Sequence, residues 1–535
     1  MQGLAKWHTC AEESCPGVQV PDADRCLAHL PAAGLVRYLA ALSPGARVDV
    51  RGTTLDAGRL ARLLDAVRLG DGPPTFGEFA ADEAQFPEKA DFRGARFAGD
   101  AWFHSARFPL YATFDDCHFE EKAAFRHAHL STATFERARF RDAWFTGARF
   151  TDDARFTHVH LHGDADFGYA KFGGLATFGD ARFDGDADFG HADFAGTAYF
   201  GGTRFAGYAI FGGAHFAGVA HFDRVYCDKS ALFERARFDA APELGPLEAG
   251  EVILDRAVFE QWVEVAVEAG QVSAERARFA CGATLRFGDA QVSLERAVLG
   301  GPSTVAALDG QPTLTSLREV DVAGLSVVDV DLRECRFDGA RHLDQLRIEG
   351  RSGFGQPPPG VHFGRSWPPV WRWTRRRVLA EERPWRAWSD DEIVSPERLG
   401  VMYRALRKSL EDSKNEPGAA DFYYGEMEMR RHCAKGSDRL VLWLYWLLSG
   451  YGLRATRALL AAALVVAATT AVLVGWGLPH ASLELALRTT VSAMAFRDPG
   501  PSLTPVGVWT VMAARLLGTV LLAMTVLAVR GRVKR

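Results

Sequence analysis

From Phe86 onward, large apolar residues return at steps of five or six, first as Phe86, Phe92, Phe97, Phe103, Phe108, Phe114, Phe119 and Phe125. Leu130 follows, and strict steps of five then reach Phe135, Phe140, Phe145 and Phe150. The alternation resumes through Phe156, Leu161, Phe167, Phe172, Phe178 and Phe183, and runs on to Cys227, Phe233 and Phe238. A small residue sits two places before most of these, as at Ala90, Ala95, Ala101, Ala106, Ala112, Cys117 and Ala123. A helix would need a period of about 3.6 and a flat strand a period of 2, and neither fits. A chain that turns a corner every five residues does fit, with one large and one small side chain directed inward on each face. Four faces close a square coil, and stacked coils pair through backbone hydrogen bonds at about 4.8 Å. A sixth residue is accommodated at a corner, a place suited to Gly or Asp. No proline occurs between Pro109 and Pro242, as a ladder that uses every N–H requires.

Runs such as Ala-Asp-Phe-Arg-Gly-Ala-Arg-Phe (90–97) resemble the pentapeptide-repeat family, with Phe at the centre where many members carry Leu. The resemblance covers Phe86 to Phe238 and implies a mainly β fold, the right-handed parallel quadrilateral β-helix of that family. Between Leu254 and Ala297 the pattern survives as echoes, Arg-Ala-Val-Phe (256–259) and Arg-Ala-Arg-Phe (276–279), at spacing that looks irregular. Steps of five return at Leu317, Val322, Val327, Leu332 and Phe337, so a degenerate continuation of the solenoid is expected over 239–350.

Before the repeats, Gly34 to Leu42 and Thr54 to Leu69 read as short amphipathic helices, a helical cap over 31–85 that covers the first coil and blocks edge pairing. Ahead of them, Cys10, Cys15, Cys26 and His29 have the spacing C-x4-C-x10-C-x2-H. Three thiolates and an imidazole can surround zinc tetrahedrally, so residues 1–30 are expected to form a structural zinc knuckle, with Gly17 easing the turn and His8 as a spare ligand. The alternative is free cytosolic thiols with a helix cap at His29. A closed four-ligand site has no open position for catalysis.

After the solenoid the composition changes. Residues 351–395 combine Pro357, Pro358, Pro359, Pro368, Pro369 and Pro384 with Trp367, Trp371, Trp373, Trp385 and Trp388, and with Arg375, Arg376 and Arg377. This is a linker that either lies against an anionic inner leaflet or packs on its neighbours. Residues 396–437 read as a cytoplasmic helical hairpin turning at Asn415-Glu-Pro-Gly418, and 438–535 as a membrane domain. Val441 to Leu448 is too short to span and is placed at the interface. The uncharged stretch 458–477 and the stretch 506–529, broken only by Arg515, each meet the ~20 residues needed to cross a bilayer. Arg439, Arg454 and Arg457 precede the first span, and Arg530, Arg532, Lys534 and Arg535 follow the second. The connecting loop has only Arg488 and Arg497, offset by Glu484 and Asp498. This bias places both termini of a multi-pass protein in the cytoplasm. The richness in Ala, Arg and Gly suggests a GC-rich bacterial genome, so the membrane is read as a bacterial cytoplasmic one.

From Tyr403 to the C-terminus the chain resembles the two-helix, ion-channel-like domains of some bacterial pentapeptide-repeat membrane proteins. Leu483 to Phe496 stands where such a domain has its pore helix, before the break at Asp498-Pro499-Gly500. No Thr-Val-Gly-Tyr-Gly-like filter follows it, and Gly450-Tyr451-Gly452 precedes the first span and is a turn. Arg515 either snorkels or pairs with Glu484 or Asp498, or lines a pore in a homo-oligomer.

Composition narrows the function. The formal net charge is only -5 over 535 residues, and the eight cysteines are mostly scattered, unlike a secreted disulfide scaffold. From Met1 to Cys15 no apolar run reads as a signal peptide, so a reducing, cytosolic setting is expected. Over 86–238 there are 21 Asp plus Glu against 18 Lys plus Arg, a balance of 18 − 21 = −3. That is too weak to imitate duplex DNA, so inhibition of a topoisomerase by DNA mimicry is disfavoured and no nucleic-acid partner is expected. The histidines along the repeats (His104, His118, His127, His129, His158, His160, His162) read as solvated surface. No nucleophile–base set, phosphate loop or His-Glu-x-x-His pattern is present, so the protein is read as non-enzymatic. The leading expectation is a membrane-anchored scaffold whose solenoid, on the cytoplasmic face, holds a protein partner. The rival is an oligomeric channel-like protein with the solenoid as its cytoplasmic sensor or assembly domain.

Overall fold

A computed structural model describes residues 7–357, 360–362, 370–372, 376–386, 392–479, 482–495, 497 and 502–533. Of the sequence features above, Pro358, Pro359, Trp367, Pro368, Pro369, Trp373, Arg375 and Trp388 lie outside the described residues. So do Phe496, Asp498, Pro499, Gly500, Lys534 and Arg535, and the side chains of Trp371, Arg530 and Arg532. The chain divides into two units, Met1–Gly353 and Phe354–Arg535.

The first unit is a parallel β-solenoid of about 12 turns. Its inward Phe and Ala positions are buried throughout. Each ring lies on the ring one coil away, nearly parallel to it: Phe86 on Phe108 at 4.5 Å, Phe145 on Phe167 at 4.9 Å, Phe150 on Phe172 at 5.0 Å. Rings of different columns meet edge to face, as Phe135 and Phe145 do at 5.3 Å and 85°. Two columns are unbroken Phe (Phe92 to Phe222 and Phe103 to Phe233), while Leu130, Leu161 and Cys227 interrupt only the other two. Where Cys117 and Thr203 take the small inward slot, each donates to a carbonyl of the preceding coil, Phe92 O (3.0 Å) and Phe178 O (2.8 Å). Burial without a polar partner is thereby avoided.

Five- and six-residue corners differ in construction. At a five-residue corner the residue two after Phe has positive φ, and the N–H of the following Ala returns to the Phe carbonyl, as from Ala106 to Phe103 (3.1 Å). Gly fills this slot at 94, 147, 202 and 213, but Asp116, His127, Arg137, Tyr169 and others also adopt it. At a six-residue corner an Asp accepts an N–H from the next coil: Asp100 from Lys122 (3.2 Å), Asp164 from Asp186 (3.0 Å), Asp186 from Tyr208 (2.9 Å). The carboxylate thus bridges the coils where the ladder is locally open. The run of fives from Leu130 to Phe150 shortens the coil to 20 or 21 residues, yet Phe125 still stacks on Phe145 at 4.9 Å.

The solenoid begins before Phe86. Ala46–Asp49 pairs in parallel with Thr75–Ala80, which pairs with Arg96–Phe97 and Ala101–Trp102, and Phe76 stacks on Phe97. Helices α1 (Ala32–Ala40) and α2 (Ala57–Ala66) flank the first of these strands, and Asp56 caps α2 by accepting from Arg59 N at 2.7 Å. Between Leu254 and Leu299 the coil holds 20 residues, with Leu254, Ala274 and Leu294 in one buried slot, before it lengthens again where Ser303 pairs with Leu325. Eleven-residue strands, Glu243–Ile253 and Val263–Ser273, replace two short faces. Val263, Val265 and Val267 are buried alternately with period 2, which hides the five-step signal in the sequence. Parallel pairing continues to Arg347–Glu349.

In the second unit, α3 (Glu382–Trp385) precedes a hairpin of α4 (Pro396–Asp412) and α5 (Glu416–Cys433), with Ser395 and Asn415 as N-caps. Next come α6 (Gly436–Ser449), α7 (Ala455–Val472, ending in a wider turn to Gly477), α8 (Leu483–Met494) and α9 (Pro505–Val533). Two stretches, Ala455–Gly477 (23 residues) and Pro505–Val526 (22 residues), are long and apolar enough to cross a membrane.

If stacked rings hold the coils, Phe145→Ala destabilises the solenoid by about 3–5 kcal/mol, whereas Arg149→Ala on the outer face changes it by less than about 0.5 kcal/mol. Denaturant unfolding followed by far-ultraviolet circular dichroism measures both.

Candidate metal centre and buried ionic network

The N-terminal segment folds back on itself through an antiparallel bridge between Thr9 and Val18, and Val18 N donates to Arg51 O of the first coil (2.8 Å). Gly17 passes so close to Cys26 that a Cβ there would lie 2.9 Å from the Cys26 Cβ. This fold gathers Cys10, Cys15, Cys26 and His29, whose ligand atoms all lie within 4.8 Å of one another. Cys15 Sγ is 3.7 Å from Cys26 Sγ, and His29 Nδ1 is 3.5 Å from Cys10 Sγ and 3.4 Å from Cys26 Sγ. Tetrahedral zinc, with Zn–S about 2.3 Å and Zn–N about 2.0–2.1 Å, has edges of about 3.8 Å between sulfurs and about 3.6 Å between sulfur and nitrogen. The three separations above match those edges. Cys26 N also donates to Cys10 Sγ at 3.2 Å, a bond that favours thiolate. Burial raises both thiols; at Cys10 the amides of Cys26 and Glu12 outweigh it and bring the group to about 7, while Cys26, with Cys15 beside it, is pushed up to about 12. His8 is exposed and stands apart from the four.

The histidines of the repeats are not all solitary. His160 and His162 meet Asp184, a grouping the spacing alone did not single out. Its signal was the coil length, since Asp184 follows His162 by one 22-residue turn.

A second concentration of polar chemistry lies in the helical unit, among residues read from the sequence as linker, hairpin, a turn at Tyr451 and the arginines ahead of the first span. Glu382, fully buried, bonds to the guanidinia of Arg376 and Arg386 and to the Tyr403 hydroxyl, which in turn accepts from Leu379 N at 3.0 Å. Glu428 on α5 accepts from Arg431 (2.8 Å) and from the Tyr451 hydroxyl (3.2 Å), and lies 3.4 Å from Arg386. Tyr451 belongs to the Gly450-Tyr451-Gly452 turn, just before α7. Arg454 and Arg457, at the start of that helix, lie over the rings of Tyr424 (5.2 Å) and Trp446 (5.3 Å). Glu428 is thus a joint between α3, the hairpin and the entry to the first apolar helix. Burial works against its charge, but His432, Arg386, Arg431 and Arg376 hold it well below the ordinary carboxylate range.

The three C-terminal helices pack through small residues. A Cβ on Gly507 would fall 2.4 Å from Gly477 O, and Thr470 Oγ1 bonds Thr490 Oγ1 at 3.2 Å, joining α7 to α8. Arg515 donates to the carbonyl of Arg497 at 3.1 Å, directing its guanidinium to the segment between α8 and α9. Asp498, a partner expected for it, lies outside the described residues.

A square coil with Phe and Ala inside defines a class of parallel solenoid, and the comparison with protein families agrees. Residues 81–129, 114–160, 145–193 and 185–225 each match the model for pentapeptide repeats (9 copies), so the stretch 81–225 is a pentapeptide-repeat solenoid. No curated protein and no solved structure matches the chain.

Replacing Glu428 by Gln leaves Arg431 without its buried counter-charge and Arg386 with that of Glu382, and is expected to destabilise the hairpin by about 3–5 kcal/mol. Because the folded-state value of Glu428 is depressed, its contribution is complete above the unfolded glutamate value of about 4.3 and is lost as the pH falls below it. Protection factors of the α4 and α5 amides, taken against the intrinsic exchange rate at each pH, should therefore fall on acidification in the wild type. In Glu428→Gln they should already be low at neutral pH.

Proposed function

We propose that this protein is a membrane-anchored scaffold: the pentapeptide-repeat solenoid, on the cytoplasmic face of a bacterial membrane, holds a protein partner and performs no chemistry of its own. The observation that carries the reading is the pairing of a long rigid solenoid with two helices of spanning length whose outer surfaces are apolar. Leu460, Leu464, Trp509 and Leu516 are 65%, 71%, 72% and 73% exposed, an arrangement that water disfavours and lipid accepts. The solenoid presents its outward side chains as straight ladders along flat faces, which suits docking over a long surface rather than enclosure of a small substrate. Zinc held by Cys10, Cys15, Cys26 and His29 would serve structure only, closing the N-terminal segment over the first coil.

A second reading has one observation in its favour. The short α8 lies between the two spanning-length helices and is bonded to α7 through Thr470 and Thr490, the order of elements in a two-helix channel subunit. In that case the apolar faces would form a homo-oligomer, with Arg515 near its conduction path.

Three measurements bear on these readings. The full chain should stay in the membrane pellet through alkaline carbonate extraction and be released by detergent; recovery from the soluble fraction ends the scaffold proposal. Reconstituted into liposomes it should pass no ions, whereas flux abolished by Arg515→Ala would establish the channel reading. Elemental analysis of purified protein should find zinc, with one equivalent lost in Cys26→Ser. A protein isolated without zinc that takes up none on addition removes the metal from the account.

A further inference from the structure

We propose that His160, His162 and Asp184 form a binding site for a borderline divalent cation, of the class of Zn²⁺, Ni²⁺ or Cu²⁺, on the outer face of the solenoid. The repeat itself builds the site. His160 and His162 flank the inward Leu161, so both imidazoles emerge on the same face with the strand's period of 2. Pairing of His160–Leu161 with Arg182–Phe183 sets Asp184 in the slot above His162, one coil on.

The result is convergent. His160 Nε2 lies 2.7 Å and His162 Nδ1 3.3 Å from the same oxygen, Asp184 Oδ2, and the three ligand atoms all fall within 4.8 Å of one another. A single ion with bonds of about 2.0–2.2 Å sets its ligands about 3.0–3.5 Å apart, so small adjustments admit one. The other carboxylate oxygen, Oδ1, accepts from Arg182 Nε at 2.7 Å, which fixes the group and leaves Oδ2 turned to the imidazoles. Two imidazoles and one carboxylate suit Zn²⁺, Ni²⁺ or Cu²⁺ rather than Ca²⁺ or Mg²⁺, which favour all-oxygen sets.

His215 shows the contrast. Its two ring nitrogens face different carboxylates, Asp193 (3.2 Å) below and Asp239 (2.9 Å) above, as a ladder contact does. At His160 and His162, two rings with centroids 3.9 Å apart instead share one acceptor. The cations facing the group are Arg182, bound to Asp184, Arg141, bound to Glu121 at 2.8 Å, and Arg139 on the rung below His160. With His162 54% and Asp184 26% exposed, the remaining coordination positions open to solvent, where water or a donor from a docked partner would complete them.

The test counts metal in the full-length protein in detergent, by competition of Zn²⁺ and Ni²⁺ against a chelating dye. Wild type should bind one more equivalent than His160→Ala/His162→Ala, with Asp184→Asn weakening that equivalent at least about tenfold. His215→Ala should match wild type. Because the readout is a difference between surface variants, it does not depend on whether the cysteine cluster is filled or whether the scaffold reading holds. Equal stoichiometry in wild type and the double variant, or loss of the same equivalent in His215→Ala, overturns the proposal.

Discussion

The solenoid rests on one commensurability: the spacing at which parallel strands share hydrogen bonds is also a spacing at which phenyl rings stack. Backbone ladders set the rise at about 4.8 Å, and offset aromatic stacking is favourable at centroid distances of about 4.5–7 Å. The columns sit between 4.5 Å (Phe86 on Phe108) and 5.3 Å (Phe76 on Phe97), with neighbouring columns turned edge-on to one another. Neither interaction needs to strain the other. The condition is that the chain return to the same place on every turn, whether the coil holds 20, 21 or 22 residues.

That condition extends to the outside. If inward rings stack, outward side chains must stack as well, and chemistry that is dilute in the sequence becomes concentrated on the surface. Arg235, Arg256, Arg276 and Arg296 all occupy the same corner slot with φ near 58°, where a non-glycine residue is uncommon. The corner aspartates reach the next coil for the same reason, and His160, His162 and Asp184 converge through it. The positive φ is a cost of order 1–2 kcal/mol for each non-glycine corner, accepted because the turn is over-determined by the ladders on either side.

Much of this was legible from residue order. The ring positions from Phe86 to Phe238 have no other regular explanation, and the two apolar stretches and the hairpin turn at Asn415 stand out by composition and spacing. The Cys and His spacing at the N-terminus marked four residues that the fold does bring together. What stayed hidden follows from distance and period. Thr75–Ala80 contributes Phe76 and Phe79 to the core, but a single strand shows no repeat. Val263, Val265 and Val267 follow a strand's alternation, so the continuation expected over 239–350 shows no regular five-step signal there, although its coils are regular at 20 residues. The ionic joint at Glu382 and Glu428 draws on residues from Arg376 to Tyr451, and charges that far apart look like ordinary solvated groups until packing buries them.

The central claim, that every inward slot of the repeat is sealed by its neighbours, can be read from the protein's own thiols. Cys117, Cys227 and Cys335 occupy inward slots and are buried, whereas Cys281 is exposed. Burial also pushes the Cys117 and Cys227 thiols above their ordinary range, Cys227 to about 12, which lowers their reactivity further. Maleimide labelling of the native full-length protein, mapped by peptide mass spectrometry, should modify Cys281 readily and leave the other three untouched until denaturant is added. Labelling of Cys117 or Cys227 at the rate of Cys281 would place those slots in water, and the stacked interior would not exist.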